Sequence, residues 1–107
     1  TIYHMRVREY IQKDGSIPFK KWFNKLNHQA AAKVSVALVR MELGNTSNIK
    51  WFSGLGEYRI DRGPGYRIYL TQDGDDLIVL FGGGTKKRQQ KDILEARELL
   101  KEYKSRR

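Results

Sequence analysis

The spacing of apolar residues changes twice along this chain, from two to about 3.6 and back again. Over residues 3–10 it is two. Tyr3, Met5 and Val7 alternate with His4, Arg6 and Arg8, which predicts a strand with one apolar face. Lys13-Asp14-Gly15 predicts a turn, Ser16 the cap of a helix and Pro18 a residue of its first turn. Phe19, Trp22, Phe23 and Leu26 then fall at i, i+3, i+4 and i+7, a short amphipathic helix. Asn27 is placed to cap a second helix over 28–43, striped by Ala31, Val34, Leu38 and Met41 and ended by Gly44-Asn45. Two helices joined this closely are expected to fold back as an antiparallel hairpin.

In the second half the period of two returns. It predicts a short strand at 50–52 and longer ones at 57–61, 66–71 and 76–82. Arg62-Gly63-Pro64-Gly65 joins the first long pair, and Asp73-Gly74 is a hairpin signal for the second. A last helix is expected over 86–104, with Ile93, Ala96, Leu100 and Tyr103 on one face, and only 104–107 should fray. The order β-α-α-β-β-β-β-α predicts one α+β domain over 1–107, with an antiparallel-rich twisted sheet and a C-terminal helix.

Alternation also sorts the charges. Tyr58, Ile60, Tyr66, Ile68 and Leu70 share one face; Glu57, Arg59, Asp61, Arg67 and Tyr69 share the other. Keeping the apolar sets together requires an odd-length loop, and any such loop sets Arg59 directly opposite Arg67. Two cations so placed cost a few tenths to about 1 kcal/mol. Either an anion sits between them, or Glu57 and Asp61 neutralise both on a wet sheet face.

The stretch VLFGGGTKKRQQKDIL, from Val79 to Leu94, runs off the last strand toward the same end. Its glycines allow close backbone approach, and the helix start that follows favours an anion. The G-x-x-x-x-G-K-[ST] spacing of a nucleotide phosphate loop is absent. Together with Arg59 and Arg67, the run Lys86-Lys87-Arg88 makes a pocket of four or five cations.

Composition agrees with an anionic partner. Net charge is +9 with a pI near 9.9, and the excess is present in both halves, so it is no mere basic tail. A broadly positive small domain of this kind usually meets nucleic acid, an acidic protein or both. There is no cysteine, so no disulfide and no thiolate metal site. No apolar run approaches the length of about 18 residues that a membrane helix needs. The opening TIYHMRVREY is polar and mixed rather than a signal peptide, and a cytoplasmic location is expected. His4 and His28 have no partner motif, and no His/Asp/Glu group has metal-ligand spacing, so neither metal nor cofactor is expected.

GLGEYRIDRGPGYRIYL followed by IVLFGGGTKKRQQKDILEAREL resembles the RelE/ParE toxin superfamily of bacterial toxin–antitoxin modules, in its HigB-like branch. The resemblance covers nearly the whole chain. It implies a microbial-ribonuclease-like α+β fold, an endoribonuclease that cuts mRNA codons in the ribosomal A site, and a helix-turn-helix antitoxin encoded next to it. By position it carries catalysis onto Arg59, Arg67 and Lys86 or Lys87. It departs from better-known members at Asp92-Ile93-Leu94, where they place an aromatic residue or histidine, and at Asp61, where they have a lysine.

The residue types suit that chemistry. Cleavage by the neighbouring 2′-OH needs in-line alignment, removal of its proton, stabilisation of charge on phosphorus and protonation of the leaving 5′-oxygen. Arginine forks at 59 and 67 can each grip two phosphate oxygens. A lysine at 86 or 87 suits transition-state charge or leaving-group protonation. Tyr69 is placed to stack a base or to pack in the strand, and Gln89 and Gln90 to touch RNA or to face solvent. Arg62, Arg88, Lys20, Lys21, Lys25 and Lys33, with the C-terminal cations, are expected to bind RNA phosphates, contacts that position without reading sequence. Two other readings stay open: a ParE-like gyrase poison, and a basic RNA-binding module without catalysis.

Overall fold

The computed structural model describes residues 4–107. Nine elements follow one another: β1 (Arg6–Glu9), α1 (Pro18–Phe23), α2 (His28–Glu42), β2 (Ile49–Phe52), β3 (Leu55–Ile60), β4 (Tyr66–Asp73), β5 (Leu77–Thr85), a 3₁₀ turn (Lys86–Arg88) and α3 (Gln89–Arg106). The five strands form one mixed sheet in the order β1-β5-β4-β3-β2, in which only the β1–β5 pair is parallel. The α+β class and the C-terminal helix are as the apolar spacing predicts. Among the described residues no helix is long and apolar enough to cross a membrane.

The sheet is covered on both faces. Met5, Tyr58, Ile68, Leu70, Ile78 and Leu80 pack with Phe19, Val34 and Met41 of α1 and α2. On the opposite face Leu55, Tyr69, Val79 and Phe81 pack with Ala96 and Leu100 of α3. The face expected to be wet around Glu57 and Arg67 is therefore largely a second core. Its odd-numbered positions include enough apolar surface to bury α3, and the charged residues are carried in with it.

Several boundaries differ from the sequence reading. Tyr3, expected in the first strand, lies outside the described residues. Ser16 does not cap α1; the N-cap is Ile17, and the Ser16 hydroxyl bonds Asp14 and Gln12 instead. Asn27 does cap α2, accepting from the Ala30 N–H at 2.9 Å. The buried stripe of α2 is Ala30, Val34, Ala37 and Met41, rotated slightly from the expected one. Helices α1 and α2 each pack chiefly on the sheet, α1 on β5 and α2 on β1 and β3. The C-terminus is tied down rather than frayed: Arg106 donates to the Ile11 carbonyl at 2.8 Å and Arg107 pairs with Asp73 at 3.0 Å.

The last long strand runs past the expected end at Gly82. β5 continues through Gly82–Gly84 to Thr85, with a bulge opposite Tyr69/Leu70 that admits one extra residue. The bareness of these glycines serves packing first. A Cβ at Gly83 would sit 2.5 Å from the Trp22 ring, and one at Gly84 would overlap the Asp92 side chain. Gly83→Ala is therefore expected to cost about 2 kcal/mol by forcing the indole off the strand. Chemical denaturation would register that loss as a lower midpoint with an unchanged slope.

Candidate anion-binding site

Strand register assembles the cations. Arg59 stands directly across from Arg67, as the loop-length argument requires. The carbonyls of Asp76, just before β5, and of Leu80 accept from Arg6 and Tyr10, so alternate residues of β5 bond β4. Counted along β4, Arg67 is one of the residues bonded to β5. Its pairing with Arg59 is thus the narrow type, with Cα atoms about 4.5 Å apart and side chains at their closest.

The two arginines are held differently. Glu57 is fully buried, and its two oxygens accept from Arg59 Nε and Gln89 Nε2, each at 2.9 Å. Burial alone would raise the Glu57 pKa, but these two bonds and the Arg59 charge outweigh it and hold the carboxyl below its ordinary value. Glu57 thus neutralises Arg59, whose side chain remains 42% exposed. Arg67 has no carboxylate partner among the described residues. It is 6% exposed, donates through Nη1 to the Gly65 carbonyl at 2.7 Å, and its buried Nε has no hydrogen bond. The reading in which Glu57 and Asp61 neutralise both arginines holds for one of them.

Lys86 joins from the 3₁₀ turn that follows β5. Its backbone N–H donates to the same Gly65 carbonyl at 3.0 Å, bringing the start of the cation run against the β3–β4 turn. Gly65 has φ +72°, and a Cβ there would meet Arg67 Nη1 at 3.0 Å and Lys86 Cβ at 3.6 Å. Glycine lets all three converge.

Lys86, Lys87 and Arg88 are exposed and occupy the N-terminal end of α3, where the helix dipole is positive. No side chain caps that end, and Asp92 is the sole acid in the first turn. Each cation there is unfavourable by roughly 0.3–1 kcal/mol. Lys87→Glu is expected to raise the thermal midpoint by about 2–5 °C while weakening phosphate binding. A melting curve and a salt titration of RNA binding check both halves.

The other named residues divide. Tyr69 is 1% exposed, beneath α3, so its ring faces the core and is out of reach of a base. Its hydroxyl lies buried beside Glu57; burial, followed by the Glu57 charge, raises its pKa. Gln89 is engaged by Glu57, whereas Gln90 is exposed. Arg62 is exposed in the turn and shares with Arg59, Lys33 and Arg40 a groove of about 770 Å³ between α2 and the end of β3. Lys20 and Lys21 are exposed on α1, away from that groove, and Lys21 lines a separate cleft beside β5. Arg88 lines the same cleft.

Two residues matter more than the sequence suggests, Arg40 and Asp92. Arg40 joins Lys33 in the cation groove because α2 lies beside β3, a tertiary fact no local pattern carries. Asp92 rests over Gly84 with Oδ2 buried and unpaired, and burial raises its pKa. The available signal was its place as the first acid after the cation run. Among the described residues no three His, Asp or Glu side chains converge as metal ligands would.

Fold and site together define a small basic α+β domain with a cluster of cations at one end of its sheet. No family model matches the chain. It is 40% identical over 94 residues to an uncharacterized protein of Haemophilus influenzae, an alignment that covers 86% of this chain and 95% of that protein. The chain belongs to the same family as that protein.

Proposed function

We propose that the chain is the toxin of a type II toxin–antitoxin module, a RelE/ParE-type, HigB-like endoribonuclease that cuts mRNA on the ribosome. The observation that carries this reading is Arg67. A buried guanidinium with no carboxylate, held close to Arg59 and beside Lys86, is poorly explained by stability and well explained by a phosphate. The cations stacked against the α3 dipole point the same way.

In the proposed reaction the ribose 2′-hydroxyl gives its proton to solvent as its oxygen attacks phosphorus, and the 5′-oxygen leaves, giving a 2′,3′-cyclic phosphate and a 5′-hydroxyl end. Arg59 and Arg67 bind the non-bridging oxygens, and Lys86 or Lys87 protonates the leaving oxygen. The groove of Lys33, Arg40 and Arg62 takes flanking phosphates or ribosomal RNA. The proposed setting is the cytoplasm, and the proposed inhibitor a helix-turn-helix antitoxin from an adjacent gene.

Primer extension on an mRNA translated in a reconstituted system tests this. Cuts within A-site codons that require both ribosomes and Arg67 are the expected result. Toxicity that survives loss of Arg67 and tracks with gyrase would replace it by the ParE-like reading. RNA binding by folded protein without any cut would leave a non-catalytic module.

A further inference from the structure

Strand β5 outruns its neighbour. β1 pairs only with Leu77–Leu80, and its last link is the Tyr10 N–H to the Leu80 carbonyl at 2.9 Å. From Phe81 to Thr85, β5 has β4 on one side and, among the described residues, no strand on the other. The bulge reverses the alternation set by the Asp76 and Leu80 carbonyls, so Gly83 and Thr85 turn outward there. The Thr85 carbonyl opens the 3₁₀ turn. The N–H and C=O of Gly83 and the N–H of Thr85 have no partner among the described residues.

Folded proteins usually blunt such an edge with a charge, a proline or a covering loop. Here glycines leave it bare, and two helices wall it into a cleft of about 440 Å³. Gly82, which lines the cleft, has open space where a Cβ would stand. The walls differ. On the α1 side stand Lys21 and Lys25; on the other Phe81, Ala96 and Leu99 form an apolar wall, with Arg88, Asp92 and Glu95 beside it.

The geometry points to this cleft as the docking site of an extended acidic peptide, added as a strand beside Gly83–Thr85 in the line that β1 leaves at Tyr10. A strand's side chains alternate between faces. One set of the incoming residues would meet the lysines of α1 and should be acidic; the other would meet Phe81 and Leu99 and should be apolar. RNA offers no alternating N–H and C=O groups, and its uniform charge would press phosphates against Asp92 and Glu95. A polypeptide satisfies the edge, the cations and the apolar wall together.

The probe is a short synthetic peptide of alternating glutamate and valine, followed by fluorescence anisotropy and by amide hydrogen exchange of the intact protein. Binding should slow exchange at Gly83 and Thr85. Replacing glutamate by lysine in the peptide, or making Lys21→Glu with Lys25→Glu in the exposed rim, should weaken it by about tenfold or more. N-methylating alternate peptide amides should abolish it in one of the two registers. No binding, equal binding by both N-methylated forms, or unprotected Gly83 and Thr85 amides under saturating peptide would overturn the inference. So would protection of those amides by an RNA oligonucleotide instead. The readout is binding alone, so a chain without nuclease activity that takes the peptide sinks the nuclease reading and leaves this one standing.

Discussion

Arg67→Met is expected to lower RNA cleavage by at least about 100-fold while leaving the protein as stable as the wild type, or more so. The two effects come from one feature. Arg67 is almost fully buried with a single backbone acceptor and an unbonded Nε, so its desolvation is poorly compensated. Methionine fills much the same elongated space with no charge to desolvate. It also removes the like-charge contact with Arg59 across the narrow pair. Transition-state charge loses a fixed donor at the same time. Arg59→Met should behave differently. It strips Glu57 of one of its two partners, so stability should fall, and since Arg59 is already half neutralised its loss should slow cleavage less. Thermal melts and single-turnover rates on the two variants separate the roles. A marked loss of stability in Arg67→Met would make it a structural cation; full activity in a stable variant would remove the cluster from the mechanism.

The register of the site was legible because it depends on local pattern. Strand alternation and loop parity placed Arg59 opposite Arg67, and the turn residues Gly63-Pro64-Gly65 and Asp73-Gly74 fixed both hairpins. What could not be read was the third dimension. Glu57 and Tyr69 look like members of a polar face, yet α3 covers both because Leu55, Val79 and Phe81 give that face a core. Sequence pattern ends the strand at Gly82 and leaves Gly83 and Gly84 at its junction with the helix, open to a ligand. Both are strand residues, and they make room for Trp22 and Asp92, partners from α1 and α3. Lys33 and Arg40 join the groove only through the docking of α2 beside β3. Local signals therefore specify which residues pair, while helix placement decides which of them remain available to a ligand.

Glu57→Ala is expected to destabilise the protein by about 3 kcal/mol. Glu57 is the buried acceptor that ties Arg59 of β3 to Gln89 at the start of α3, so its loss leaves Gln89 without a partner and opens a cavity between sheet and helix. The upper end of the range for broken buried pairs does not apply, because Arg59 is well exposed and water can take over its free hydrogens. The pH dependence gives the sign. The Glu57 pKa is lower in the folded chain than in the unfolded one, so its contribution is fully present above about pH 4.3, the ordinary carboxylate value, and is lost as pH falls through the folded pKa. Denaturant midpoints of wild type and Glu57→Ala should therefore lie far apart at pH 7 and draw together below about pH 4. Asp92 titrates with the opposite sign, its pKa being raised by burial, so its neutralisation in acid stabilises the fold in both proteins alike and does not close the gap. A gap constant down to pH 3 would mean that Glu57 acts by shape alone. In that case Arg59 would be a free cation like Arg67, and the two arginines would grip an incoming phosphate as equals.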